Sequence, residues 1–165
     1  MDSAHREYLE QRYAAKEWYG RGAAGRRRMI EDFAFEGSEL RGWTLLRVPR
    51  EEGTAPPVIR AFWHRGDPML ELLSIDVWVC GSARAAHDQL LEALGNIQSD
   101  AVERRDGFGD VAFALDDMMA LFARANVVVL IRNAGPKAVQ VGPVARAIDE
   151  LLVRRSGGGE GRRRR

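Results

Sequence analysis

Met118-Met-Ala-Leu-Phe-Ala-Arg-Ala-Asn-Val-Val-Val-Leu-Ile131 is the stretch whose reading decides the fold. Met118 to Arg124 reads as one strand, Ala125-Asn126 as a tight turn, and Val127 to Ile131 as a second strand. The second run is apolar at every position, so both of its faces need cover and it belongs in the middle of a sheet. A longer loop then leads to Val144-Ala-Arg-Ala-Ile-Asp-Glu-Leu-Leu152. Val144, Ile148, Leu151 and Leu152 there recur at helical spacing, and Pro143 suits a first helical turn. The same order stands upstream, where Met69 to Cys80 reads as a strand and Ser82 to Leu94 as a helix. Ser82 is placed to cap that helix, and Ala86, Leu90, Leu94 and Ile97 form its stripe.

Working outward, Trp43 to Val48 and Val58 to His64 are rich in strand formers, and Glu51 to Pro57 between them cannot continue a ladder. Asp110 to Leu115 is a further strand, entered through Gly107-Phe-Gly109 and left through Asp116-Asp117. Consecutive strands joined by turns this short must run antiparallel. The expected fold is therefore α+β: an antiparallel sheet with two helices packed on one face, a pseudo-twofold repeat of strand-strand-helix units, and an N-terminal helical arm. Residues 1–28 are the arm and a basic Gly-Arg linker, 29–155 a single domain, and 156–165 a disordered Gly/Arg tail. The arm should be one helix over residues 3–19, and its removal should leave the domain folded.

The chain has 165 residues, 45% hydrophobic and 30% charged, which is the composition of a globular domain. Its single cysteine, Cys80, excludes a disulfide framework within the chain and a multi-cysteine zinc site. No apolar run reaches the length of a membrane span, and the first residues lack the apolar stretch of a signal peptide. As it stands the chain is expected to be cytoplasmic; if a leader had been removed, it would be an exported protein. The net charge of +1 divides into +3 over residues 1–28, −7 over 29–153 and +5 over 154–165. Basic ends flank an acidic body, a pattern that suits an anionic partner or loose association of the ends with the body.

Phe122-Ala-Arg-Ala-Asn-Val-Val-Val-Leu-Ile131, with Gly109-Asp-Val-Ala-Phe113 before it and Val144 to Asp149 after it, resembles a loose group of small bacterial α+β domains of unassigned function. The resemblance spans about residues 41–153. Members often begin the corresponding strand with Arg-Gly-Asn, where this chain has Ala125 in place of the glycine, and many are exported. The group has no settled activity, so the resemblance carries no catalytic residue across.

The sequence offers no catalytic set, no metal-binding residues, and no cofactor-binding motif. His5, His64 and His87 lack metal-ligand spacing with one another or with Cys80. Asp116-Asp117 reads as a turn rather than as paired carboxylates, because adjacent side chains of a strand turn diverge. The glycine clusters at 107–109 and 157–161 lack the context of a phosphate loop. The leading functional expectation is a non-enzymatic interaction or assembly subunit whose arm docks on a protein partner or a second copy through Tyr8, Leu9, Tyr13, Trp18 and Tyr19. A second reading is a small-molecule site on an open sheet face at Trp63, Asp76 and Trp78. A third is an anionic polymer, nucleic acid or membrane surface, held by Arg26, Arg27, Arg28, Arg162, Arg163, Arg164 and Arg165.

Overall fold

Val127 to Ile131 does occupy the middle of a sheet. The computed structural model describes residues 1–19, 28–48 and 56–157. Seven strands form one sheet: β1 (Thr44–Arg47), β2 (Val58–His64), β3 (Leu72–Val79), β4 (Val102–Arg105), β5 (Val111–Leu115), β6 (Met119–Arg124) and β7 (Val127–Asn133). Their spatial order is β1-β2-β3-β7-β6-β5-β4, with every pair antiparallel. The helices are α1 (Ser3–Arg12), α2 (Ala15–Trp18), α3 (Ala83–Asn96) and α4 (Gly142–Ser156). The α+β class, the antiparallel sheet and the N-terminal helix are thus as expected. Strand β4 carries no periodic apolar signal and was not anticipated; only Val102 of its four residues is buried.

The helices depart from expectation by lying on opposite faces of the sheet. Helix α4 packs through Val144, Ala145, Ile148 and Leu152 on the face carrying Trp63, Leu73, Ile75, Val77, Phe122, Val129 and Ile131. Helix α3 packs through Ala86, Leu90, Leu91 and Leu94 on the face carrying Phe113, Leu121, Val128 and Leu130. The reason lies in β7, which is apolar on both sides. One layer of helices would leave Val128 and Leu130 wet, at about 1.5–3 kcal/mol for each large apolar side chain.

This placement also removes the pseudo-twofold repeat. Leaving out the edge strand β4, the strand order is symmetric about the β3–β7 pair, with β1-β2-β3 on one side and β7-β6-β5 on the other. A twofold axis normal to the sheet there would exchange the two strands but keep each face, placing both helices on the same side. They sit on different sides, so the halves share a strand plan and not a symmetry.

Each helix has a companion on its face. Residues 30–43, without regular structure, strap the α4 side through Ile30, Phe33, Phe35, Leu40 and Trp43. Asn126, fully buried, holds the strap: its side chain accepts from the Ile30 N–H at 2.8 Å and donates to Ile30 O at 2.7 Å and Cys80 O at 2.8 Å. Ala125 beside it sits at φ +51°, where a Cβ costs about 1 kcal/mol that glycine avoids. The α3 side is shared with the arm. Leu9, Tyr13, Ala15 and Trp18 are buried in the same cluster as Phe113 and Leu90, so residues 1–19 belong to the core of the domain. Removing the arm would uncover that core, contrary to the expectation of a dispensable segment. The arm is also two helices, because Ala14 at φ +50° breaks the run.

Helix α4 is started from a distance. Val141 at its N-cap offers no side-chain acceptor, and Asp117 supplies one, its Oδ1 accepting from Gly142 N–H at 2.9 Å while its carbonyl accepts from Val141 N–H at 2.9 Å. This satisfies orphan donors and places a negative charge at the positive end of the helix. The helix runs to Ser156, one residue past the expected domain boundary, and Ser156 O accepts from Arg28 N–H at 3.0 Å.

Candidate functional site

The arm and its seat form the most developed contact between a separable element and the domain. Trp18 is completely buried, its indole N–H donating to Tyr13 O at 2.9 Å. Its ring meets Tyr19 at 4.9 Å, His87 at 5.5 Å and Phe113 at 6.2 Å, all edge-on. Tyr13 meets Phe113 edge-on at 5.3 Å. Around these anchors run polar ties: Arg6 to Asp88 at 2.6 Å, Arg6 to Glu10 at 2.9 Å and Arg12 to Ser99 O at 3.1 Å. Of the five residues expected to dock on a partner, Leu9, Tyr13 and Trp18 are buried within this chain, Tyr19 is half-buried and Tyr8 is 55% exposed. The outer side of the arm holds a groove of about 530 Å³ between α1 and α2, lined by Arg6, Glu7, Glu10, Lys16 and Glu17 among others.

His87 lies in the seat. It is 1% exposed, stacked on Tyr19 at 6.2 Å, and its Nδ1 has no hydrogen-bond partner among the described residues. Arg84 and Asp88 flank it on α3 and Asp110 faces it from the start of β5; burial outweighs the two carboxylates and lowers its pKa from 6.5. Because the folded-state pKa is depressed, the neutral ring contributes stability that is intact above 6.5 and lost as pH falls below it. Acid titration followed by tryptophan fluorescence or limited proteolysis should therefore show the arm loosening below that pH, and His87→Phe should flatten the profile. Identical acid profiles for the two proteins would refute the assignment.

The three residues expected to share an open face do not do so. Trp63 is fully buried on the α4 side against Phe35, at 5.5 Å, while Asp76 and Trp78 lie on the other face. Alternation explains it: Trp63 pairs across from Leu73, an odd-numbered neighbour of Ile75 and Val77, and these point away from Asp76. Asp76 is 2% exposed and bonded by Arg60 at 2.8 and 3.2 Å and by Arg132 at 3.3 Å. His64, four residues along β2 from Arg60, bonds to Gly66 O at 3.0 Å and lies about 13 Å from Asp76 along the strand. They make no catalytic pair.

The densest buried charge cluster is structural in form. Arg124 donates to Asp149 twice at 2.7 Å and to Asp110 at 2.8 Å, and the second oxygen of Asp110 accepts from Ala125 N–H at 2.8 Å. Every carboxylate oxygen has a donor, and the bonds to Asp149 hold the guanidinium more firmly protonated than usual. Cys80 is likewise quiet, since burial pushes its thiol up to about 11 and keeps it protonated at neutral pH. A recess of about 290 Å³ lies beside the start of α4, over Ala114 and Ala120, with Arg105 and Arg146 on its rim. Asp117 occupies the helix end that would otherwise attract an anion there. Of the residues expected to contact anions, Arg28 is exposed, while Arg26, Arg27 and Arg162, Arg163, Arg164 and Arg165 lie outside the described residues. No group of His, Cys, Asp and Glu among the described residues could hold a metal ion, and none of their helices is long and apolar enough to cross a membrane.

The residues that sequence reasoning missed are Arg47, Arg60, Phe62 and Arg132, which the sheet gathers around Asp76 and Trp78 on one face. Their period-2 positions in β2 and β7 were legible; the pairing that joins them was not. No family model, curated protein or solved structure matches this chain.

Proposed function

We propose that the chain is a non-enzymatic assembly module whose N-terminal arm, α1 and α2, exchanges between the seat on its own domain and the identical seat on a second copy. The supporting observation is the arm–seat contact itself. A few aromatic and aliphatic anchors enter a closed apolar site, ringed by an arginine that pairs across it, which is the anatomy of an interaction hot spot. An arm joined to its domain through residues 20–27, with three glycines among them, can reach a neighbouring copy using the same contacts it makes at home. No new surface is needed, so the cost of exchange is mainly the transient opening of the seat.

The test mixes two single-cysteine additions, Arg6→Cys in one chain and Asp88→Cys in another, and adds a short bis-maleimide linker. These positions face each other across the seat, and Cys80 is buried. Exchange predicts a covalent heterodimer that increases with concentration and incubation time. Only singly modified monomers, at concentrations where the mixed chains have had hours to exchange, would sink the reading.

A further inference from the structure

We infer that His87 is a proton-operated latch on arm exchange: mild acid quickens the passage of the arm between copies, and neutral pH holds it where it sits. The inference rests on the exchange reading above and adds its regulation. His87 belongs to α3, which is itself anchored on the sheet side of the seat through Ala86, Leu90, Leu91 and Leu94. The arm closes over the imidazole from outside: Trp18 meets it edge-on at 5.5 Å and Tyr19 stacks on it at 6.2 Å. A ring that is 1% exposed with the seat filled gains water when the arm leaves.

The filled seat accepts the neutral imidazole and opposes the charged one. A neutral ring can carry its single proton on Nε2 and leave Nδ1 bare, whereas an imidazolium carries an N–H on both nitrogens. Nδ1 is buried without a partner among the described residues, so the second N–H would find no acceptor there. Two carboxylates face the ring, and both are engaged elsewhere. Asp88 on α3 accepts from Arg6 of α1 at 2.6 Å and lies 3.6 Å from Arg84. Asp110, at the entry to β5, accepts from Arg124 at 2.8 Å and from Ala125 N–H at 2.8 Å. Arg84 brings a further positive charge close, over the Tyr19 ring at 4.1 Å. From the arm, Arg6 donates to the Tyr19 hydroxyl at 3.1 Å and Glu10 accepts from it at 3.3 Å. Opening the seat admits water to the imidazolium and removes the penalty of burying it. Burial lowers the pKa of the closed ring from 6.5, so the open seat binds the proton more tightly and gains population as pH falls below that value.

The latch acts on rate and not on outcome. A swapped arm fills its neighbour's seat with the contacts it makes at home, so monomer and swapped dimer hold His87 in the same surroundings and take up protons equally. Acid raises the open state through which both must pass and leaves the balance between them unchanged. One proton limits the effect to about ten-fold in rate per pH unit.

The test mixes full chains carrying a donor dye on Ser3→Cys with full chains carrying an acceptor dye on Glu92→Cys. Both positions are exposed, one on the arm and one on α3, and Cys80 is buried. Energy transfer followed over time should develop at least about three-fold faster at about pH 5.5 than at about pH 7.5. Its final value should be the same at each pH, and return to neutral pH should slow the exchange again. His87→Gln should exchange at a rate independent of pH. The chain has three histidines, so His5→Gln with His64→Gln leaves His87 alone and should keep the full slope, which gives a reading even where substitution of His87 disturbs folding. A pH-independent rate in that double variant, with exchange still taking place, would overturn the latch and leave the exchange reading standing. An undiminished slope in a folded His87→Gln variant would do the same. No transfer at any pH would overturn both. A final transfer that grows in acid while the rate stays constant would also overturn the latch, by placing the effect of the proton on the dimer rather than on the opening of the seat.

Discussion

Arg124→Ala should be among the most damaging single substitutions in the domain, lowering the free energy of unfolding by about 3–5 kcal/mol in urea denaturation. The side chain pairs with both Asp110 and Asp149, whose side chains are 6% and 9% exposed. Its removal takes this charge from two carboxylates whose desolvation is already incurred, and the loss of the charge is worse than the loss of the bonds. One further outcome separates this cause from simple cavity formation. Arg124→Lys retains the charge but not the paired geometry and should fall between the parent and the alanine variant; a lysine variant no more stable than alanine would argue for packing as the cause. The sum matters because the cluster ties three elements together: the entry to β5, the end of β6 and the middle of α4.

Trp18→Ala should cost about as much, roughly 3–5 kcal/mol for a buried large aromatic, but its signature should be local. The ring fills a site shared by Tyr13, Tyr19, His87 and Phe113. Without it the arm keeps Leu9, Tyr13 and the ties of Arg6 to Asp88 and Arg12 to Ser99 O but loses its one completely buried large ring, so the balance against the entropy of ordering two short helices shifts toward release. Amide exchange should therefore rise steeply across residues 3–19 while β3, β6 and β7 stay protected, since local opening can proceed without global unfolding. Uniform loss of protection would mean that arm and sheet are one cooperative unit; unchanged protection over residues 3–19 would mean that Trp18 is not the anchor. The local outcome is also the one that arm exchange requires, because an arm able to reach a second copy must first leave its own seat.

Much of this was written in local pattern. The strand readings identified β2, β5 and β6 closely, and the helical stripes of α3 and α4 named Ala86, Leu90, Leu94, Val144, Ile148 and Leu152, all buried, along with Ile97 and Leu151, which are half-buried. The double-sided apolar run at Val127 to Ile131 placed β7 at the centre of the sheet. These properties depend only on the period of the backbone, which a residue shares with its sequence neighbours. What the sequence by itself left open were relations between distant residues. The same stripe on α4 satisfies either face of a sheet, so periodicity could not choose; the need to cover Val128 and Leu130 as well as Val129 and Ile131 did. The aromatic residues of the arm read equally as partner anchors or as core until Phe113 and Leu90 were seen to close around them. Trp63 and Trp78 are alike in type and lie on neighbouring strands, yet one is buried on the α4 side and the other half-buried on the α3 side, because strand register sends odd and even positions apart. The Arg60–Asp76–Arg132 cluster likewise exists only once β7 has come to lie beside β3, across a gap in sequence that no local pattern spans.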